Sequence, residues 1–273
     1  MAHILLVGFG KMGRALLKGW FSNNIVQKVS ILDPLVKEIP QNFRKFQEIN
    51  LYNNVNEFPI KFSPSMVVLA VKPQVMKEAL LKLVVLKDEK TSWLTVAAGL
   101  PIIFYENILG KEVSIFRTIP NTPAEVSKGI TAIFKNEHCN KEQTQLAENL
   151  LNSIGEVLYL EDESLMDAVT AISGSGPAYF YYFIEAIVYS GISIGLSKKH
   201  SLKLAKETFL GAAVLLEKSN EEVSSLRENV TSPGGTTEAA LKTLQKNNQY
   251  FKLIKKAIIS ARNRGIELSD EFK

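Results

Sequence analysis

At 273 residues, 46% of them apolar and 22% charged, the chain has the composition of an ordinary globular protein and is long enough for one large domain or two modest ones. Its 32 basic and 28 acidic side chains leave a formal charge of +4 with no long block of either sign, which argues against a grip on nucleic acid or an acidic membrane. The single cysteine, Cys139, excludes an intrachain disulfide and a multi-cysteine metal site, and it fits a reducing, cytoplasmic compartment.

The first apolar run, residues 4–7, meets Lys11 and Arg14 too soon to be the core of a signal peptide, and it predicts a strand over 3–8. Further strands are predicted over 28–32, 66–71, 93–97, 114–117, 130–134 and 156–160. Apolar residues at helical spacing predict helices over 11–21, 74–86, 101–108 and 141–153. This alternation is the pattern of a parallel sheet with crossover helices, while residues 33–64 are too weakly patterned to assign.

After Leu160 the strand signal ends, and helices broken at 173–177, 195–199 and 232–235 follow, which sets a domain boundary near 161–163. The stretch 177–196 approaches the length of a membrane span, but Glu185 sits in its middle, so a helix buried in protein is the better reading. The remaining helices offer too little cover for a segment as apolar as 179–194, which predicts a homodimer through this half, with further assembly into a ring of dimers left open.

The hexapeptide Gly8, Phe9, Gly10, Lys11, Met12, Gly13 follows a predicted strand and opens a predicted helix, the context of a dinucleotide-binding turn. Gly8 permits the tight turn, Gly10 lets backbone approach a pyrophosphate, Gly13 lets the helix pack on the strand, and Met12 packs beneath. Asp33 lies where an acid accepts hydrogen bonds from the ribose hydroxyls of NADH and repels a 2'-phosphate, which leans towards NADH over NADPH. The competing role for Asp33 is that of a turn residue before Pro34. Asn53 and Asn54 are further candidates near the adenosine ribose.

Ala70, Val71, Lys72 and Pro73 end one predicted strand, and Val96, Ala97, Ala98 and Gly99 end the next, both on the side where open parallel sheets bind ligands. Small residues there let backbone touch a cofactor, and Lys72 can neutralise phosphate or lie near the reaction centre, or simply be a solvated lysine. Gly234 and Gly235 predict unobstructed amides before a helix, with hydroxyls from Ser232, Thr236 and Thr237, an arrangement suited to a small anion and also to a plain helix cap.

With GFGKMG at 8–13, AVKPQ at 70–74, RTIPNTP at 117–123, SGSGPAY at 173–179 and VTSPGGTT at 230–237, the chain resembles the pyrroline-5-carboxylate reductase family over nearly its whole length. The resemblance implies an α/β protein with an N-terminal Rossmann-type dinucleotide-binding domain, placed at 1–161, and an all-α dimerisation and substrate-binding domain, placed at 162–273. It implies reduction of the cyclic imine Δ1-pyrroline-5-carboxylate to L-proline by NADPH or NADH. The 232–237 loop would hold the substrate carboxylate and Thr237 would contact the imine nitrogen.

Such a reaction needs little acid–base machinery, whereas alcohol oxidation wants a base such as histidine or lysine near the hydride. The three histidines, His3, His138 and His200, are poorly placed for that role and give no metal set. A two-domain hydroxyacid dehydrogenase, the first alternative, would carry a lysine on the helix at 177–196, which has none. The second alternative, a non-catalytic NAD(P)H-binding protein, sits badly with three intact motifs.

Overall fold

A computed structural model describes residues 2–43 and 48–271. The chain forms two compact units, Met1–Ser175 with Ala261–Lys273, and Gly176–Ser260.

The first unit is built on one eight-stranded sheet: β1 His3–Val7, β2 Lys28–Leu32, β3 Ile49–Tyr52, β4 Met66–Leu69, β5 Ser92–Thr95, β6 Ile115–Ile119, β7 Gly129–Lys135 and β8 Gly155–Tyr159. The spatial order is β3-β2-β1-β4-β5-β6-β7-β8. The six strands from β3 to β6 are parallel, with Ile4 opposite Val29 on one side and Met66 on the other. That 3-2-1-4-5-6 order is the doubly wound arrangement, whose ligand crevice opens at the carboxyl ends of β1 and β4, where the order reverses.

Parallel strands need long crossovers, and here the helices α1 Lys11–Ser22, α2 Pro73–Leu83, α3 Ile102–Leu109 and α4 Lys141–Asn152 supply cover on both faces. Strand alternation divides the apolar residues between them. Ile4, Leu6 and Val68 pack with Leu16, Leu17 and Trp20 of α1 and Leu150 and Leu151 of α4, while Leu5, Val7 and Leu69 pack with Met76 and Leu80 of α2 and Phe104 and Tyr105 of α3. The start of α4 is set locally by a capping box, in which Gln143 N donates to Asn140 Oδ1 (2.8 Å) and Asn140 N to Gln143 Oε1 (3.0 Å).

Two features depart from a simple reading of the pattern. β7 runs antiparallel to β6, because only the short turn Thr122–Val126 joins them and no crossover fits in it. The unassigned stretch contains β3, a four-residue edge strand without a fully buried side chain, so no apolar alternation marks it.

The sheet ends at Tyr159, yet the compact unit runs on to Ser175 through α5 Met166–Val169 and a wide turn at Thr170–Gly174. In that turn Ser175 N donates to Thr170 O (2.9 Å). Asn121 of the RTIPNTP segment ties this region to the sheet, donating to Ser173 O (3.2 Å) and accepting from Ile130 N (3.0 Å).

The second unit contains α6 Gly176–Ser193, α7 Lys198–Lys218, α8 Val223–Asn229, α9 Thr236–Gln245 and the first part of α10 Gln249–Asp270. Ser197 caps α7 through His200 N (3.1 Å), and Phe180 of α6 meets Phe209 of α7 at 5.8 Å. Much of α6 remains apolar and open: Tyr182 is 74% exposed, Tyr189 76% and, just beyond the helix, Ile194 79%. No helix among the described residues is long and apolar enough to cross a membrane.

Candidate active site

The glycine turn sits at the carboxyl end of β1. Gly8 has φ +94°, and a Cβ there would lie 2.7 Å from the Ala70 carbonyl oxygen and 2.8 Å from Val71 Cγ1, so only glycine lets β1 and β4 exit side by side. A Cβ on Gly13 would run into the Gly8 carbonyl oxygen, which is why α1 can lie so close to the strand that precedes it.

Gly10 is different: among the described residues nothing lies within 4 Å of its absent side chain. No side chain caps α1, and the first bond of its ladder is Arg14 N to Gly10 O (3.0 Å). The amides of Lys11, Met12 and Gly13 therefore point from a helix end with its positive pole towards an open face. The Lys11 side chain is exposed and Met12 is half-buried against the core below the turn.

Phe9 contributes backbone rather than side chain. Its ring is 1% exposed, packs edge-on to Phe43 and lies under the Arg14 guanidinium at 5.1 Å. Its amide donates to Asp33 Oδ2 (2.8 Å), and Asp33 Oδ1 accepts from Leu35 N (2.9 Å). Asp33 is therefore a turn residue, and its carboxylate also ties the end of β2 to the glycine turn. Each carboxylate oxygen retains a second lone-pair site after these bonds.

The loop after β2 is braced by Asn53, whose Nδ2 donates to Asp33 O and Val36 O, both at 2.7 Å. Asn54 turns its oxygen inward to its own 3-10 turn, accepting from Asn56 N (3.0 Å).

Ala70 N donates to Val7 O (2.8 Å) and Val96 N to Leu69 O (3.1 Å), which extends the ladder to the ends of β4 and β5 and brings both loops to the same sheet edge. Lys72 is exposed at the N-cap of α2, whose first residue is Pro73, and no ion-pair partner for it exists among the described residues. Val96 is half-buried, Ala97 buried and Ala98 exposed, while Gly99 turns at φ +81° with Leu268 Cβ 3.6 Å from where its Cβ would be.

Thr95, Tyr105 and Glu163, which hold these loops, lie in no motif, and Arg117 opens RTIPNTP without the sequence showing what it bonds. Thr95 Oγ1 accepts from Ala97 N (3.2 Å) and shares a 2.7 Å hydrogen bond with the Tyr105 hydroxyl, whose pKa burial pushes well above the ordinary tyrosine range. Glu163 Oε1 accepts from both Ile102 N and Arg117 Nη1, each at 2.7 Å.

The second cluster belongs to the helical unit. Gly234, at φ +73°, donates its amide to Glu238 Oε2 (2.8 Å), and Gly235 N donates to Ser232 O (3.0 Å). The expectation that both glycine amides stand unobstructed is thus corrected: the loop closes on itself and α9's first acid takes one of them. Available donors are the amides of Thr236 and Thr237, since α9 has no side-chain cap, and the hydroxyls of Ser232, Thr236 and Thr237, which make no hydrogen bond among the described residues.

His3 opens β1 at the opposite end from the glycine turn, with Nε2 2.9 Å from Ser30 Oγ, and His200 lies in the first turn of α7. α6 carries no lysine. Cys139 is buried, and burial raises its thiol pKa to about 12.

A family model for pyrroline-5-carboxylate reductase dimerisation matches residues 163–268, and one described as coenzyme F420-dependent NADP oxidoreductase matches residues 3–98. The pyrroline-5-carboxylate reductase of Pseudomonas aeruginosa is 34% identical over 271 residues, 99% of this chain and 98% of that protein. The Aquifex aeolicus enzyme of the same name is 37% identical, with 88% of each chain covered. Among solved structures, that from Coxiella burnetii superposes with a TM-score of 0.90 at 32% identity, and that from Plasmodium falciparum, with NADP bound, at 0.83 and 29%; both cover 98% of each chain. Similarity of this extent, with its dimerisation match on the helical half and its sheet in dinucleotide-binding order, shows that the chain belongs to the pyrroline-5-carboxylate reductase family.

Proposed function

We propose that this chain reduces Δ1-pyrroline-5-carboxylate to L-proline, with NADH or NADPH as reductant. The observation that carries the reading is the 232–237 loop, where two uncapped helix amides and three unbonded hydroxyls gather in a chain of this family. Such a cluster suits a small carboxylate.

The glycine turn fits a dinucleotide, because a Cβ at Gly10 would project into open space among the described residues, whereas Gly8 and Gly13 are packed shut. The amides of residues 10–13 would hold its pyrophosphate, and Lys72 at the α2 N-cap would supply a balancing positive charge beside the reaction. Residues 70–73 and 96–99 would line the nicotinamide half, with Asn54 near the adenosine ribose. When bound, the cofactor supplies a hydride to the imine carbon.

The chain's own task is to hold and orient. Ser232, Thr236 and Thr237 would fix the carboxylate, and the Thr237 hydroxyl would donate to the ring nitrogen, where a proton ends in the product. Asp33, held by Phe9 N and Leu35 N, presents a fixed negative charge with spare acceptor sites, which favours ribose hydroxyls over a 2'-phosphate and hence NADH. The open apolar faces of α6 and its neighbours are covered in a homodimer, and sedimentation distinguishes that dimer from a ring of dimers. The lone, free cysteine supports a cytoplasmic location, which fractionation checks.

The deciding experiment follows nicotinamide absorbance at 340 nm with pyrroline-5-carboxylate as substrate. Proline-forming turnover is expected; absence of turnover with either cofactor would overturn the reading.

A further inference from the structure

Ala97 and Leu100 anchor loop 96–101 in the core, but few side-chain hydrogen bonds fix the course of its backbone. Ala97, Ala98 and Gly99 are small, Gly99 sits at positive φ, and side chains reach the backbone between Val96 and Ile102 at only two points among the described residues. Those points are its two ends.

At the upstream end Thr95, 1% exposed, is bonded three ways: its carbonyl accepts from Thr118 Oγ1 (2.7 Å), its hydroxyl oxygen accepts from Ala97 N (3.2 Å), and the same oxygen meets the Tyr105 hydroxyl (2.7 Å). Tyr105 lies on α3, so this bond also ties the helix after the loop to the strand before it. At the downstream end α3 has no side-chain cap of its own, and Glu163, 61 residues away in sequence, caps it through Ile102 N. The side chain of Arg117 is 4% exposed and that of Glu163 27%, and Arg117 Nε and Nη2 are buried without partners.

An ion pair with two unsatisfied donors is a poor choice for stability, because apolar groups of similar volume do as well or better in such a place. What this pair does supply is direction. Arg117 rises from β6 and aims the Glu163 carboxylate at the first amide of α3.

We infer that Glu163, held by Arg117, and Tyr105, acting through Thr95, are positioning residues that fix loop 96–101 at both ends for the nicotinamide half of the dinucleotide, a role that rests on reading 96–99 as cofactor-facing. Preorganisation of this kind lowers the ordering cost of binding and appears as affinity.

The test uses Arg117→Met with Glu163→Ala, which removes the pair without stranding a buried charge, and independently Tyr105→Phe, which removes one hydroxyl and keeps the ring. Calorimetry measures NADPH, NADH and ADP-ribose, the last lacking nicotinamide, and amide exchange is followed in the cofactor-free protein. Expected are faster exchange at Ala97 with Tyr105→Phe and at Ile102 with the pair removed, about tenfold weaker binding of NADPH and NADH, and ADP-ribose within about twofold of wild type. Parallel loss of all three ligands, or no loss of any, would overturn the role. Should the double variant fail to fold, Tyr105→Phe decides alone.

Ala98→Trp separates this role from the reading beneath it. Wild-type NADPH binding in that variant means the loop does not face the cofactor, and the role falls with the reading. Loss of NADPH there, with wild-type affinities in the other variants, overturns the positioning role alone.

Discussion

Alanine at Gly10 and alanine at Gly13 should separate two jobs that the glycine turn performs. At Gly13 the new Cβ lands on the Gly8 carbonyl, with the Gly8 carbonyl carbon 3.3 Å and Ala70 Cβ 3.7 Å away, so α1 must move off β1. That motion disturbs Leu16, Leu17 and Trp20, all fully buried, and the 3.1 Å bond from Trp20 Nε1 to Leu150 O. Overpacking of this kind costs about 1–3 kcal/mol, and the better helix propensity of alanine returns about 1 kcal/mol, for a net loss of about 1 kcal/mol. At Gly10 no atom of the described residues lies within 4 Å of the added Cβ, and φ −72° with ψ −165° is open to any residue, so the folding free energy should change by less than about 0.5 kcal/mol. The same methyl group would obstruct a pyrophosphate, and dinucleotide affinity should fall at least about tenfold, or about 1.4 kcal/mol. Urea unfolding followed by the fluorescence of the buried Trp20 and Trp93, beside calorimetric titration with NADPH, reads both quantities. Wild-type NADPH affinity in Gly10→Ala would refute the pyrophosphate role, and wild-type stability in Gly13→Ala would refute the packing argument.

Thr237→Ala should lower the reduction rate about tenfold with NAD(P)H affinity nearly unchanged, and an equal loss of cofactor binding would remove Thr237 from its assigned place. Glu238→Ala frees the Gly234 amide and removes a carboxylate from beside the substrate's own, so KM for pyrroline-5-carboxylate should fall about two- to fivefold; a rise would mean that the closed loop is the binding form. Asp33 predicts a kcat/KM about tenfold higher with NADH than with NADPH, narrowed in Asp33→Asn, and a strong NADPH preference in the wild type counts against it. Burial first, and then Lys28, lower the pKa of His3, so its neutral form is the one the fold prefers. Its contribution to stability is therefore present above about pH 6.5 and is lost as pH falls through the lowered folded value. Thermal melts of His3→Gln should show a shallower decline on that acid side, and an unchanged pH profile would exclude the effect.

Most of the first unit was legible because both faces of its sheet are covered. β1 and β4 then read as unbroken apolar runs, and α1 and α4 as amphipathic helices between strands. β3 escaped because an edge strand of three half-buried residues and one exposed one has no pattern to show, and the reversal of β7 escaped because strand direction is set by the length of a connection rather than by composition. Glu163 looked like a residue at a domain boundary, and nothing near it in sequence points to Ile102 or Arg117.

The glycine turn, the two small-residue loops and the SPGGTT segment were determined by sequence alone, because each is a local demand for backbone without side chain or for a hydroxyl at a fixed offset. Tertiary structure decided how those segments are held: Asp33 on the amide of Phe9, Thr95 and Glu163 at the ends of one loop, and Glu238 on the amide of Gly234. Except for Glu238, which reaches back four residues, and Thr95, which bonds Ala97, these ties span 24 residues or more of sequence. A hydrogen bond depends on two groups meeting at about 3 Å, and spacing along a chain does not record that distance.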